Sequence, residues 1–187
     1  MLNLKKNIEL LISTQCILIF SMIPVFVAIP SDWNNFKILE LTVNWQIPIV
    51  IILTILFSGE ILIKSLTIYI FIGLFFLPVF NDGGSVGYLL TPNFGFILGM
   101  YPMIIYINKL NYKHKLSIYK FLFNGIISLL LLHLIGILYL TIQLILFNRI
   151  ELILYSVGKY SLASLPFQIL MLFPCSLLLI IFKKIKI

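Results

Sequence analysis

The sequence predicts an all-α integral membrane protein, a bundle of six transmembrane helices with both termini in the cytoplasm. Its composition and the spacing of its apolar runs predict this class. Of 187 residues, 61% are hydrophobic and only 10% are charged, and the mean hydropathy is +1.15. Soluble domains carry about 25% charged residues. The length favours a single domain, so we expect one transmembrane domain over residues 1–187.

Six apolar runs approach the length that a helix needs to cross a bilayer, which is about 20 residues. The predicted spans are about 10–29, 42–58, 61–79, 94–108, 121–147 and 162–182. Pro24 is expected to kink the first span, and Ser58-Gly59-Glu60 separates the second from the third in a tight helical hairpin. The first run has no small-residue cleavage site and is long enough to span, so no cleavable signal peptide is expected.

The distribution of positive charge predicts the orientation, because cytoplasmic loops are enriched in lysine and arginine. With the N-terminus inside, ten of the 13 basic residues fall inside, and only Lys37, Arg149 and Lys159 fall outside. The net charge of +7 is therefore a topology signal. No aromatic residues alternate with basic ones, so we expect no nucleic-acid partner.

The segment from Leu77 to Gly99 is unusually rich in glycine, proline and asparagine. It joins the third and fourth spans on the outer side. Non-helical backbone near a bilayer is tolerated only where protein or water satisfies its polar groups. The segment therefore predicts a folded loop over a cavity, with an ordinary connector as the alternative.

Several neutral amides lie at the outer ends of the spans. They are Asn44, Gln46, Asn93, Gln143, Asn148 and Gln168. With a tryptophan nearby, they suit a small polar ligand that has an apolar body. The alternative is that Trp33 and Trp45 anchor the chain at the membrane interface.

Catalytic chemistry is not indicated. There is no nucleophile elbow, zinc-protease motif or phosphate loop, so we expect no enzyme, no catalytic residue, no metal and no cofactor. The two cysteines, Cys16 and Cys175, lie in apolar runs and read as small hydrophobic residues. His133 lies within the fifth span and is a functional candidate for that reason. Helix packing beside Gly125, Ser128 and Gly136 accounts for it equally well.

The run PVFNDGGSVGYLLTPNFGFILG, residues 78–99, resembles the signature of the BioY family, the biotin-specific substrate-binding (S) components of energy-coupling-factor (ECF) transporters. That family carries a Pro-Val-Phe-Ala-Gly-Gly loop, then Gly-Pro-Thr-Gly-Gly-Tyr and Leu-x-Gly. The matching positions are Pro78, Val79, Phe80, Gly83, Gly84, Pro92, Gly95 and Gly99. Gln46, Tyr69 and Gly73 also fit the family pattern, as does His133-Leu134-Ile135-Gly136. The resemblance covers roughly residues 28–182.

This resemblance implies a protein of the bacterial cell membrane that captures biotin or a similar small vitamin from outside. It also implies docking to a transmembrane coupling subunit and ATPases on the inner side. The predicted ligand residues are Trp45, Gln46, Phe80, Asn81, Asp82, Gly83, Gly84, Asn93, Phe96, Lys159 and Gln168. Docking in the family uses Ala-x-x-x-Ala on the first helix, where this chain offers Ser13, Cys16 and Ser21.

The chain departs from the family at the start of the last helix. The family has Pro-Gly-Asp-x-x-Lys, and this chain has Gln168 in place of Asp and Met171 in place of Lys. In the family these charged residues are implicated in holding biotin. We therefore expect Met171→Lys together with Gln168→Asp to tighten binding, unless Lys159 supplies the missing cation. The other candidate functions are an S component for another vitamin, a non-transporting assembly or structural protein with this fold and, more remotely, an intramembrane enzyme.

Overall fold

The computed structural model describes residues 2–32, 35–81, 83–111 and 117–185. They form a helical bundle with a two-stranded hairpin at one end. The helices are α1 (Leu2–Ser21), α2 (Gln46–Leu56), α3 (Gly59–Phe75), α4 (Pro92–Asn111), α5 (Ile118–Leu146), α6 (Ile153–Val157) and α7 (Leu165–Ile185). The strands are β1 (Pro24–Asp32) and β2 (Asn35–Asn44). Short 3-10 turns cover Val86–Leu90 and Ile150–Leu152, and a π-helical turn covers Gly158–Leu162.

The hairpin corrects the prediction of an all-α fold. The first predicted span, 10–29, is helical only as far as Ser21, and the second begins at Gln46 rather than at residue 42. Between them β1 and β2 pair antiparallel, with Val27 opposite Leu39 and Ile29 opposite Lys37. Pro24 cannot donate a helical hydrogen bond, and the β-branched residues after it favour an extended chain.

The other four predicted spans coincide with helices. They fall on α3, α4, α5 and α7, with ends that differ by one to four residues. Within the part of the chain that the structure describes, two helical stretches are long and apolar enough to cross a membrane. These are Ile118–Leu146 and Ile150–Leu178, judged by length and composition alone. The second includes residues 150–161, which lie between the fifth and sixth predicted spans.

Close contact between α4 and α5 holds the centre of the bundle. A Cβ atom on Gly99 would lie 2.5 Å from the carbonyl oxygen of Leu132, and one on Gly95 would lie 2.5 Å from the Cβ of Tyr139. Gly136 on α5 similarly leaves room for the ring of Phe96. Small residues permit such an approach of two helix backbones. Buried side chains around this contact include Met103, Ile104, Leu129, Leu132 and Leu172.

The contact between α4 and α5 predicts that Gly99→Ala lowers stability. The added methyl group meets backbone rather than a flexible side chain, so the helices must separate, at a cost of about 1–3 kcal/mol. The matched control is Gly158→Ala, since a Cβ there has no neighbour within 4 Å. Thermal unfolding in detergent should show a lower midpoint for Gly99→Ala only. Equal midpoints for the two variants would contradict this packing.

Candidate ligand-binding site

A cavity of about 600 Å³ lies at the end of the bundle where α1 ends and where α2, α4 and α7 begin. This volume is within the range of small-molecule sites, roughly 300–1,000 Å³. The lining residues are Ser21, Met22, Pro24, Leu41, Val43, Asn44, Gln46, Ile47, Asn81, Tyr88, Asn93, Phe96, Ile97, Met100, Lys159, Tyr160, Ser164 and Gln168. Every element that contributes one of them was predicted to reach the outer face.

The pockets at the two ends of the bundle differ in the number and pairing of their charged groups. Lys159 carries the only formal charge among the cavity-lining residues that the structure describes. The opposite end of α1 borders a smaller pocket that is lined by Lys6, Glu60 and Lys64. There Lys64 Nζ lies 2.7 Å from a carboxylate oxygen of Glu60. An anionic group entering the large cavity would therefore meet one cation.

Gln46 enters the cavity from the first turn of α2. Asn44 sets this geometry: its Nδ2 donates to the backbone oxygen of Ser21 at 3.0 Å, and its Oδ1 accepts from the backbone N–H of Gln46 at 3.3 Å. Gln46 is 5% exposed. The Tyr69 hydroxyl lies near this side chain, yet no described atom satisfies hydrogen-bond geometry with the buried Nε2. A buried amide with an unused donor is costly unless a ligand or water accepts from it.

The glycine-rich loop is folded around Phe80. Its ring covers Gly73 of α3 and lies between the rings of Tyr69, at 5.3 Å, and Tyr88, at 4.4 Å. The backbones of Phe80 and Gly83 exchange hydrogen bonds of 2.9 and 3.0 Å. Tyr88 also donates to the backbone oxygen of Asn81 at 3.0 Å. These contacts place Asn81 and Tyr88 in the cavity wall.

The sequence-predicted ligand residues therefore divide into two groups. The cavity brings together Gln46, Asn81, Asn93, Phe96, Lys159 and Gln168. Trp45, Phe80, Gly83 and Gly84 are not among its lining residues. Trp45 packs on a small cluster beneath the hairpin, and Gly84 packs against Pro78, whose Cα would lie 2.5 Å from an added Cβ. Asp82 and Trp33 lie outside the described residues.

His133 and Gln168 form a polar chain with Ser161. His133 is 3% exposed; its Nδ1 lies 2.8 Å from Ser161 Oγ and its Nε2 lies 2.9 Å from Gln168 Oε1. From the sequence, a functional role and helix packing accounted equally well for His133, and Ser161 was not a candidate. The two partners lie 28 and 35 residues further along the chain, so no local pattern reveals the cluster.

The π-helical turn Gly158–Leu162 carries Lys159 and Tyr160 to the cavity. Lys159 Nζ lies 5.2 Å from the centroid of the Tyr160 ring, within reach of a cation–π interaction. Lys159 was predicted from the sequence, whereas Tyr160, Ser164, Tyr88 and Met100 were not. Tyr160 lies between the fifth and sixth predicted spans, and Ser164 lies at the start of the sixth. Their side chains reach the cavity because the turn Gly158–Leu162 is helical, which the sequence did not predict.

The arrangement can bind a small molecule with polar and apolar parts. It offers amide donors and acceptors, an aromatic wall from Phe96 and one ammonium group. In the part of the chain that the structure describes, no group of three or more His, Cys, Asp or Glu residues could hold a metal ion.

Comparison with solved structures gives the class of fold. The chain matches the crystal structure of the S-component for biotin from an ECF-type ABC transporter with a TM-score of 0.64. The match covers 94% of this chain and 91% of that one, at 17% sequence identity. At this identity the match establishes the fold, which is that of an S component.

The chain belongs to the BioY family, whose family model matches residues 5–186. The resemblance inferred from the glycine-rich segment is thereby confirmed, and membership in a transporter family indicates a membrane protein. A curated relative is the probable biotin transporter BioY of Lysinibacillus sphaericus, which is 34% identical over 91 residues. The aligned stretch is 48% of this chain and spans about half the length of that relative, 46%.

The structure also bears on Met171, the position at which the family has Lys. Met171 is 5% exposed and packs against Val25 and Val43 beneath the hairpin. It is not among the cavity-lining residues. The expectation that a lysine at residue 171 would tighten binding thus loses its geometric basis, because such a cation would be enclosed by apolar side chains.

We therefore predict that Met171→Lys destabilises the protein. A buried ammonium group without a partner costs several kcal/mol, whereas Met171→Leu conserves volume and costs less than about 1.5 kcal/mol. Thermal unfolding of the two variants in detergent separates these outcomes. If Met171→Lys with Gln168→Asp kept the native midpoint and bound biotin more tightly, the original expectation would be restored.

Proposed function

We propose that this protein is the biotin-capturing S component of an ECF transporter in the bacterial cell membrane. It takes biotin from outside the cell and delivers it with an ATP-driven coupling module. The observation that carries this proposal is a single cavity with neutral amides, an aromatic wall and one lysine. Family membership and the fold support the same reading.

The chemistry of biotin fits the distribution of groups in the cavity. Biotin has a ureido ring, an apolar body and a carboxylate on a valeryl tail. The ureido group can accept from the unused amide donor of Gln46 and interact with Gln168. Phe96 supplies an apolar wall, and Lys159 supplies a cation for the carboxylate. In this chain Lys159 takes the role that the family gives to the lysine on its last helix.

The proposed topology has six spans and both termini in the cytoplasm. It places the cavity on the outer face and the pocket of Lys6, Glu60 and Lys64 on the inner face. The coupling subunit and the ATPases would dock from the inner side. The chain carries no phosphate-binding motif, so alone it binds the vitamin and does not concentrate it. We assign no catalytic activity to it.

A second candidate is an S component for another small vitamin. The amide of Gln168, where the family has a carboxylate, favours this alternative.

Isothermal titration of Lys159→Met with biotin tests the assignment of the cation. The loss of a charge-assisted hydrogen bond, about 1.5–3 kcal/mol, should weaken biotin binding by roughly tenfold or more. Lys159→Arg keeps the charge and is the matched control. Biotinamide, which has a neutral tail, should bind the native protein and Lys159→Met with similar affinity.

Two results would contradict this assignment in different ways. If Lys159→Met weakens biotin and biotinamide equally, Lys159 acts on the structure and not on the carboxylate. If the native protein binds neither compound, biotin is not the ligand, and a panel of other small vitamins becomes the next experiment.

Cysteine labelling in whole cells tests the orientation. In a background of Cys16→Ser and Cys175→Ala, we expect a membrane-impermeant maleimide to label Glu151→Cys in intact cells. Glu60→Cys, in the first turn of α3, should be labelled only after permeabilisation. Both native side chains are exposed, so access and not burial decides the result. The reverse pattern would place the cavity on the cytoplasmic face and contradict uptake from outside.

A further inference from the structure

His133 joins three elements that meet at the cavity. It lies on α5, and its two ring nitrogens contact Ser161 of the π-helical turn and Gln168 of α7 at 2.8 and 2.9 Å. All three residues are buried, with exposures of 3%, 1% and 8%. Of the three, only Gln168 lines the cavity. His133 therefore lies behind the cavity-lining residues, where it would not contact a ligand itself.

The chemistry of the three groups fixes the direction of the hydrogen bonds. Gln168 Oε1 can only accept, so the imidazole Nε2 carries the proton. In the neutral ring Nδ1 is then an acceptor, and the Ser161 hydroxyl donates to it. Both ring nitrogens thus form hydrogen bonds, and one of these bonds fixes Oε1 of Gln168 beside the histidine. The NH₂ group of Gln168 is then the end of the amide that does not contact the histidine.

The histidine ring is also held from the side. The Phe96 ring contacts it at 5.4 Å in an edge-to-face arrangement, with an interplanar angle of 70°. Phe96 itself lies over Gly136, where any Cβ would clash with it. Phe96 thus packs against the imidazole and also forms part of the cavity wall.

We infer that His133 is a positioning residue that holds the Gln168 amide with its NH₂ group toward the cavity and so selects a ligand with a hydrogen-bond acceptor there. This inference rests on the proposed function, in which that acceptor is the ureido oxygen of biotin. It also gives this position the opposite hydrogen-bonding polarity from that of the family's carboxylate. A carboxylate accepts hydrogen bonds, whereas the oriented amide donates.

A matched pair of substitutions separates positioning from packing. The amide nitrogen of glutamine can occupy the place of histidine Nε2, so His133→Gln keeps a donor toward Gln168. Asparagine is shorter and reaches only the place of Nδ1, so His133→Asn keeps the Ser161 contact and loses the Gln168 contact. Both replacements are polar amides, so they test the hydrogen bond with little difference in polarity.

The measurement is isothermal titration with biotin and with 2-iminobiotin, in which an imino donor replaces the ureido oxygen. We expect His133→Asn to reduce the preference for biotin over 2-iminobiotin by about tenfold, and His133→Gln to keep most of it. In a Gln168→Leu background the difference between the two variants should vanish, because coupled residues are not additive. If both variants keep the native preference, or if both lose affinity for the two ligands equally, the inference is overturned.

A ligand-free measurement distinguishes failure of this inference from failure of the proposed function. The ¹⁵N shifts of the His133 ring in the purified native protein report which nitrogen carries the proton. Protonated Nε2 with unprotonated Nδ1 supports the orientation of Gln168, whether or not biotin binds. Protonated Nδ1 with unprotonated Nε2 would overturn the inference even if biotin binds tightly. If Nε2 is protonated but the protein has no affinity for biotin, biotin is rejected as the ligand and the inferred orientation of the Gln168 amide still holds.

Discussion

The requirement that polar groups inside an apolar bundle find partners within the protein governs this structure. Lipid supplies no hydrogen bonds, and unpaired buried groups are costly. The Ser21 hydroxyl donates to the backbone oxygen of Val79, and the Asn44 amide donates to the backbone oxygen of Ser21. His133 contacts both Ser161 and Gln168 through its ring nitrogens. These bonds connect the ends of several helices around one cavity. Gln46 Nε2, by contrast, has no described partner, and this is the group that a ligand would complete.

The motif that carries the family resemblance is largely explained by packing. Gly73 makes room for the ring of Phe80, Gly84 lies against Pro78, and Gly99 lies against the backbone of Leu132. The residues of the motif that reach the cavity are Asn81, Tyr88, Asn93, Phe96 and Ile97. Proteins can therefore share these packing glycines and still present different side chains to the cavity. For this reason the motif predicts the fold more directly than it predicts the ligand.

The parts of the fold that the sequence could predict are those decided by long apolar runs. Helices α3, α4, α5 and α7 follow from such runs, and the folded loop follows from its glycines. The hairpin could not be predicted in this way, because a short β-branched run after Pro24 reads as the end of a span when periodicity alone is used. Trp45 and Phe80 are aromatic residues of the kind that line ligand sites, but tertiary packing places them in apolar clusters instead. The contacts of His133 depend on partners far along the chain, which local sequence does not reveal.

A structure of the protein bound to biotin tests the central claim most directly, which is that the cavity behind the hairpin is a biotin site. We expect biotin density within this cavity, with its ureido oxygen facing the amide nitrogens of Gln46 and Gln168 and its carboxylate within hydrogen-bond distance of Lys159 Nζ. Biotin bound at another surface, or a cavity that stays empty at saturating biotin, would contradict it.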